Sequence, residues 1–330
     1  MKRNEWNASL KAYAIPNHIK AIIQIINTVI PYFGLLVLAL YSFNRGASPL
    51  IIGSISLAAG FFMVRIFIMF HDCTHGSFTK SKKLNRILGH IFGTIVFTPF
   101  ESWRHEHGIH HGAVGNLDRR GTGDIWTLTI DEYKSKQWYV KAWYRLYRNP
   151  LFLFGVAPFF LFLILHRFPT RKSTMKEVAS YIITNIGILG VGVVFSLLFG
   201  FKAYGIVQFI ILVFGSSIGV WMFYVQHQFD EVYWEEGKEW NSIDAALKGS
   251  TFYKLPLVFE WFSGYIGYHH IHHLNSRIPN YNLKRCYLDN QSLKEVKTIN
   301  FRESIHLAFL QIYDKKNKRL ISFRRLQKGY

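Results

Sequence analysis

LIIGSISLAAGFFMVRIFIMFHDCTH, residues 50–75, joins a membrane segment to a chemical motif without a break. Residues 50–70 carry one charge, Arg65, and a helix of about 20 apolar residues crosses a hydrocarbon core about 30 Å thick. The run then continues into His71-Asp72-Cys73-Thr74-His75. Residues i and i+4 share a helix face, so His71 and His75 can present two imidazoles to one metal. The stretch predicts a spanning helix whose end is a ligand platform, with Arg65 snorkelling from it towards the interface.

Three more segments, 21–43, 178–200 and 204–225, have the length and apolarity to span. The segments 87–100 and 151–165 are shorter and interrupted by Pro99 or Pro158, so they read as interfacial or re-entrant helices. A chain of 330 residues that is 50% hydrophobic and 17% aromatic is too apolar for an ordinary soluble enzyme. The formal net charge of +19 raises the question of nucleic acid. Its basic residues flank the apolar runs, however, and no base-reading motif accompanies them, so membrane electrostatics accounts for the charge and no nucleic-acid partner is expected.

Those flanks set an orientation. Lys2, Arg3, Lys11 and Lys20, then Lys80, Lys82, Lys83 and Arg86, then Arg167, Arg171, Lys172 and Lys176 fall on one side, against Arg45 and Lys202 in the short links. Basic loops stay in the cytoplasm. The expectation is an all-α integral membrane protein with at least four transmembrane helices, arranged as two hairpins. A cytoplasmic helical cap (71–177 and 226–330) would hold the chemistry, with both termini on the cytoplasmic side and residues 1–330 forming one multi-pass domain. The two cysteines, Cys73 and Cys286, form neither a C-x-x-C pair nor a disulfide framework.

Nine of the fifteen histidines gather at the inner helix ends or in the cap. WRHEHGIHH (103–111) places His107, His110 and His111 at i, i+3, i+4, and YHHIHH (268–273) repeats the spacing in His269, His272 and His273. His227 adds a ninth at the end of the 204–225 run. Imidazole-rich ligation suits Fe, Cu, Ni or Zn, and nine rings exceed what one metal uses, so a dinuclear centre is expected. His105 and His270 lie off the spacing and, with Asp72, Glu106 and Asp230, are candidates to hydrogen-bond the metal-bound rings. His18, His90, His166 and His306 stand alone and read as surface or interfacial residues.

These boxes resemble those of the membrane fatty acid desaturases: His71–Phe78 the first, Trp103–His111 the second, and His269 through Pro279 the third. RGTGDIW (120–126), FYVQHQF (223–229) and IPNYN (278–282) are further similar to acyl-lipid desaturases of bacilli that act at the Δ5 position. The resemblance implies eight box histidines and His227 around two irons, O2 as co-substrate, a membrane phospholipid substrate, and a cis double bond as product. The extra His105 leaves the choice between His105 and His107 open. No His-Pro-Gly-Gly haem signature is present, so electrons would come from a separate ferredoxin or flavodoxin. The basic tail Lys315-Lys316-Asn317-Lys318-Arg319, with Arg324, Arg325 and Lys328, could attract such a donor or anionic lipid equally.

Unactivated methylenes offer no acidic proton and no leaving group, so no catalytic side chain is expected beyond the metal centre. Trp103, Trp126 and Trp261 are candidate walls of an acyl tunnel. Two other readings use the same residues. A di-iron hydroxylase would return oxygen to carbon, and a histidine-lined metal transporter would place its histidines mid-span along a pore. The nine lie at span ends or beyond them.

Overall fold

The computed structural model describes residues 3–328, which leaves Lys2 of the first basic cluster outside. Four helices are long and apolar enough to cross a membrane: α1 (His18–Asn44), α2 (Pro49–His75), α5 (Met175–Phe199) and α6 (Phe201–His227). Two shorter helices, α3 (Lys82–Ile95) and α4 (Phe100–Ala113), lie between the hairpins. Ser48 starts α2 by accepting the amide of Ile51, with Pro49 at the first helical position, where its missing N–H costs nothing. Gly76, at φ 67°, ends it one residue after His75. Both α2 and α6 run past their apolar segments, so His71, His75 and His227 ride on the same rods as the spans.

The α2 helix is the hub and packs against α1, α3 and α6. Its approach to α6 relies on Gly60, where an added Cβ would lie 3.0 Å from the Phe214 Cβ, and on Gly215, where one would lie 2.9 Å from Met63 Sδ. The outer faces of α1 and α5 expose Ile22, Ile26, Ile30, Ile186, Leu189 and Leu197, as lipid-facing surfaces do.

The segment 87–100 is not one helix. Thr98 N–H bonds back to the Gly93 carbonyl at 2.7 Å, Phe97 takes a positive φ of 57°, and Pro99 precedes the first turn of α4. A Cβ at Gly93 would fall 2.5 Å from the Thr98 oxygen, so this break needs glycine. The segment 151–165 is broken as expected: a π-helical turn (Phe152–Val156), a helix (Ala157–Leu163) and a 3-10 turn (Leu165–Arg167). Together they bend 64° away from the helix Trp138–Tyr147, a broken span or a re-entrant loop. That preceding helix exposes Trp138, Tyr139 and Trp143, which suits an interfacial position.

Arg65 does not snorkel. It is buried, donates to Thr28 Oγ1 at 3.0 Å and to the Trp261 carbonyl, and lies 3.9 Å from the Trp261 ring centroid. The residues after α6 form a layer over the helix ends, built from α7 (His269–Leu274), α8 (Asn280–Asp289) and further short helices. Two small strand pairs stiffen it: β1 (Phe252–Lys254) with β2 (Thr298–Asn300) in parallel, and β3 (Ile312–Asp314) with β4 (Arg319–Ile321) antiparallel. Strands of three residues leave too short a pattern to read from sequence, and they do not alter the all-helical class.

Candidate metal centre

Four elements converge on one place. The α2 helix brings His71 and His75, α4 brings His107, His110 and His111, α6 ends on His227, and α7 brings His269, His272 and His273. Spacing does the local work, because i, i+3 and i+4 put each box on the inward face of its helix. A short α7 can aim three rings because its backbone is clamped at the start. A Cβ at Gly267 would meet the Tyr253 oxygen at 2.5 Å, and the Tyr268 ring stacks on Phe252 with centroids 4.5 Å apart.

The rings form two groups. His71, His75, His107, His111 and His272 each offer a nitrogen, all within 4.8 Å of one another, and His110, His227 and His273 do the same. His269 joins the second group, with its Nε2 2.9 Å from that of His227 and 3.1 Å from that of His273. The His273–His227 Nε2 separation is 3.1 Å, which closes a triangle. His111 Nε2 lies 3.0 Å from His107 Nε2 and 2.9 Å from His272 Nε2.

Electrostatics explains why these rings are ligands in waiting. Burial, then the neighbouring imidazoles, holds His107, His111, His269, His272 and His273 well below the usual histidine range. Neutral at pH 7, each keeps a lone pair. Both nitrogens of His71 and Nε2 of His75 are buried without a hydrogen-bond partner, an expensive arrangement for polar atoms. A triangle of ring nitrogens about 3 Å on a side has its centre about 1.7 Å from each corner, so a point about 1 Å off its plane lies at the metal–imidazole bond length of about 2 Å from all three. The donor set therefore fits a pair of divalent metals that favour nitrogen.

The structure separates the two candidates in the second box. His107 faces the cluster, stacked on Trp103 at 4.2 Å. The side chain of His105 is 61% exposed and its Nδ1 sits 2.6 Å from Glu177 Oε1, away from the other rings. Asp72 lies beside His71, its Oδ1 3.4 Å from Nδ1, while its Oδ2 accepts the backbone and side-chain N–H of Asn280 at 2.6 and 2.9 Å. That bond ties α2 to α8. Glu106 is half-buried and bonded by Ser102, with its carboxyl pushed up by burial. Among the described residues no hydrogen bond joins Glu106 or Asp230 to a histidine. His270 is fully buried and pushed down to about 3 by burial, near the Thr251 and Leu293 backbones without a well-aligned bond.

Sequence reasoning assigned no role to Asp124. Its Oδ1 is 2.5 Å from His110 Nδ1, and although burial pushes this carboxyl up, the His110 bond and charge bring it below its ordinary value. The run 120–126 signalled the residue only through likeness to a family. Gly123, at φ 72°, lets the loop lie on α4, because a Cβ there would sit 3.1 Å from both the Glu106 oxygen and the His110 Cβ. His227 Nδ1 has a partner of its own, the Gly249 carbonyl at 3.2 Å.

A mostly apolar cavity of about 410 Å³ reaches the cluster, lined by Trp103, His107 and Asp124 at the rings and by Met63, Gly219 and Leu161 among the helices. Trp103 is thus one of its walls. Trp126 lines a separate cavity of about 230 Å³ with His227 and Gln228, and Trp261 covers Arg65 instead. His166, read as a surface or interfacial residue, is half-buried and lines the larger cavity.

Residues 47–302 match the family model described as fatty acid desaturase. The chain belongs to the fatty acid desaturase family. It is 41% identical to a fatty acid desaturase of Bacillus subtilis (strain 168) over 99% of this desaturase and 92% of that protein. Relatives at lower identity include an sn-1 acyl-lipid omega-3 desaturase (ferredoxin) of Synechocystis, 29% identical over 75% of this chain and 69% of its own. An sn-1 oleoyl-lipid 12-desaturase of the same organism is 26% identical over 69% and 64%. This desaturase is accordingly an oxidoreductase of lipid metabolism, and the histidine assembly is its candidate metal centre.

Proposed function

We propose that this desaturase is an acyl-lipid enzyme of a bacterial plasma membrane that introduces one cis double bond into phospholipid acyl chains. In this reading residues 1–330 act as one domain, and His71, His75, His107, His110, His111, His227, His269, His272 and His273 hold two irons on the cytoplasmic side. The observation that carries it is the apolar cavity running between the spans to His107 and Trp103. An acyl chain needs such a lining, and about 410 Å³ lies within the range of ligand sites. Relatives whose names specify acyl-lipid and oleoyl-lipid substrates support the same class.

Two irons held there would supply the oxidising power, drawn from O2 and two external electrons, that unactivated methylenes require. The balance is O2, two substrate hydrogens, two electrons and two protons giving two waters and one C=C bond. The side chains position and exclude. Trp103 and Phe67, at 5.4 Å and edge-to-face, shape the wall beside His107, and Asp124 fixes the His110 ring. The Synechocystis relative is named with ferredoxin, and a small carrier of that kind, ferredoxin or flavodoxin, is the donor proposed here.

Expression in a bacterium that makes only saturated chains tests the reaction. Mass spectrometry should find one cis double bond in esterified chains, formed only with O2 and a reduced donor, and near Δ5 if the likeness to the bacilli extends to position. Hydroxylated chains without unsaturation would move the assignment to a hydroxylase. Unsaturation confined to free or thioester-bound acids would remove the phospholipid substrate.

A further inference from the structure

We propose that the outer face of α4, over Gly108 and Gly112 and framed by Arg104, Arg119 and Lys176, docks a small acidic one-electron carrier protein, whose electrons would go to the irons that the histidine cluster would hold. The inference rests on the desaturase reading above, since only an enzyme that consumes electrons needs such a face.

Helix geometry supplies the first argument. His107, His110 and His111 occupy the inward face of α4, while Arg104, His105, Gly108 and Gly112 are exposed on the other. A single helix, about 10–12 Å across with its side chains, then separates a docked partner from the rings, and the two glycines thin its outer half. An added Cβ at either glycine meets nothing within 4 Å, so no other part of the chain covers them. They floor a concavity of about 560 Å³. The five-ring group is also half-exposed at His75 and His111, and Gly76 and Gly112 beside them are open.

Charge supplies the second. The two carboxylates at this face, Glu101 and Glu177, are nearly covered and already engaged. Glu101 pairs with Arg86 at 2.9 Å and Arg104 at 3.0 Å, and Glu177 pairs with His105 and accepts the Thr174 amide at 2.5 Å. Arg119 and Lys176 are exposed, and among the described residues neither has an acidic partner. The outward field is therefore positive, which selects and steers an acidic partner. The C-terminal basic tail is a poorer platform. Lys315 and Lys318 are drawn into ion pairs with Glu236 and Glu235, and no element there carries a cluster histidine.

The test uses the full-length, iron-loaded enzyme in nanodiscs, with a plant-type ferredoxin as the probe. Charge reversal in R119E/K176E, and separately in R104E, should weaken ferredoxin binding and raise its KM on the order of tenfold, while kcat at saturating donor and iron content stay unchanged. The dependence of KM on salt should become shallower. Wild-type binding and salt dependence in these variants would overturn the proposal, as would a loss seen instead with K316E/R324E. If the variants change only the response to the phosphatidylglycerol content of the nanodisc, the face reads lipid and the proposal fails. A wild-type enzyme that binds ferredoxin through this face yet forms no double bond would sink the functional reading alone.

Discussion

A carboxylate 2.5 Å from His110 Nδ1 decides how one ring of the cluster is presented. With that nitrogen donating its proton to Asp124, the lone pair of Nε2 points inward, to within 3.3 Å of His227 Nε2. Removing such a partner costs about 10–100-fold in metal affinity or activity. Asp124→Ala should therefore lower turnover and iron content by that order, and Asp124→Asn by less, because the amide can still accept. Wild-type iron and turnover in the alanine variant would refute this. Alanine at any of the nine cluster histidines should abolish activity with metal lost or misplaced, whereas His105→Ala, His90→Ala and His306→Ala should keep their iron. Metal analysis of the purified variants separates the sets, and two or more of the nine retaining full iron would dissolve the assignment.

At the scale of elements, what could be read from sequence was whatever repeats with helical spacing. The α2 run announced both span and ligands, since apolar length and the i, i+4 pair are local properties of one rod. Pro99 marked the α3–α4 junction, but its geometry was not legible, because it depends on Gly93 meeting the Thr98 carbonyl and on the positive φ of Phe97, neither of which a hydropathy pattern contains. Arg65 was misread for a similar reason. Its partner, the Trp261 carbonyl, is 196 residues away. Asp124 sits in a loop, where periodicity says nothing. The α3–α4 packing yields a prediction: a Cβ at Gly89 would fall 2.2 Å from the Phe100 ring, itself buried against Phe70. Gly89→Ala should cost about 1–3 kcal/mol by overpacking. Thermal unfolding in detergent reads it, and an unchanged midpoint would mean that the ring yields freely.

Across the whole molecule, the histidine cluster is where α2, α4, α6 and α7 meet, so a metal there joins parts of the chain from residue 71 to residue 273. The rings divide into a set of five and a set of four, and the proposal of two irons rests on that division. Held neutral by burial, His107, His111, His269, His272 and His273 have little affinity for protons at pH 7, and a divalent cation binds to them without displacing any. Anything that binds the folded state alone stabilises it by RT ln(1 + [L]/Kd), about 4 kcal/mol at a thousandfold excess over Kd. The purified wild-type protein should thus carry two irons per chain. Chelation should lower its unfolding midpoint by several degrees, and anaerobic Fe(II) should restore both midpoint and turnover. Alanine at His75 or at His269, one from each set, should shrink that iron-dependent shift. One iron per chain in fully active enzyme would overturn the paired centre, and a midpoint indifferent to chelation, with iron removed, would show that the four elements hold together without it.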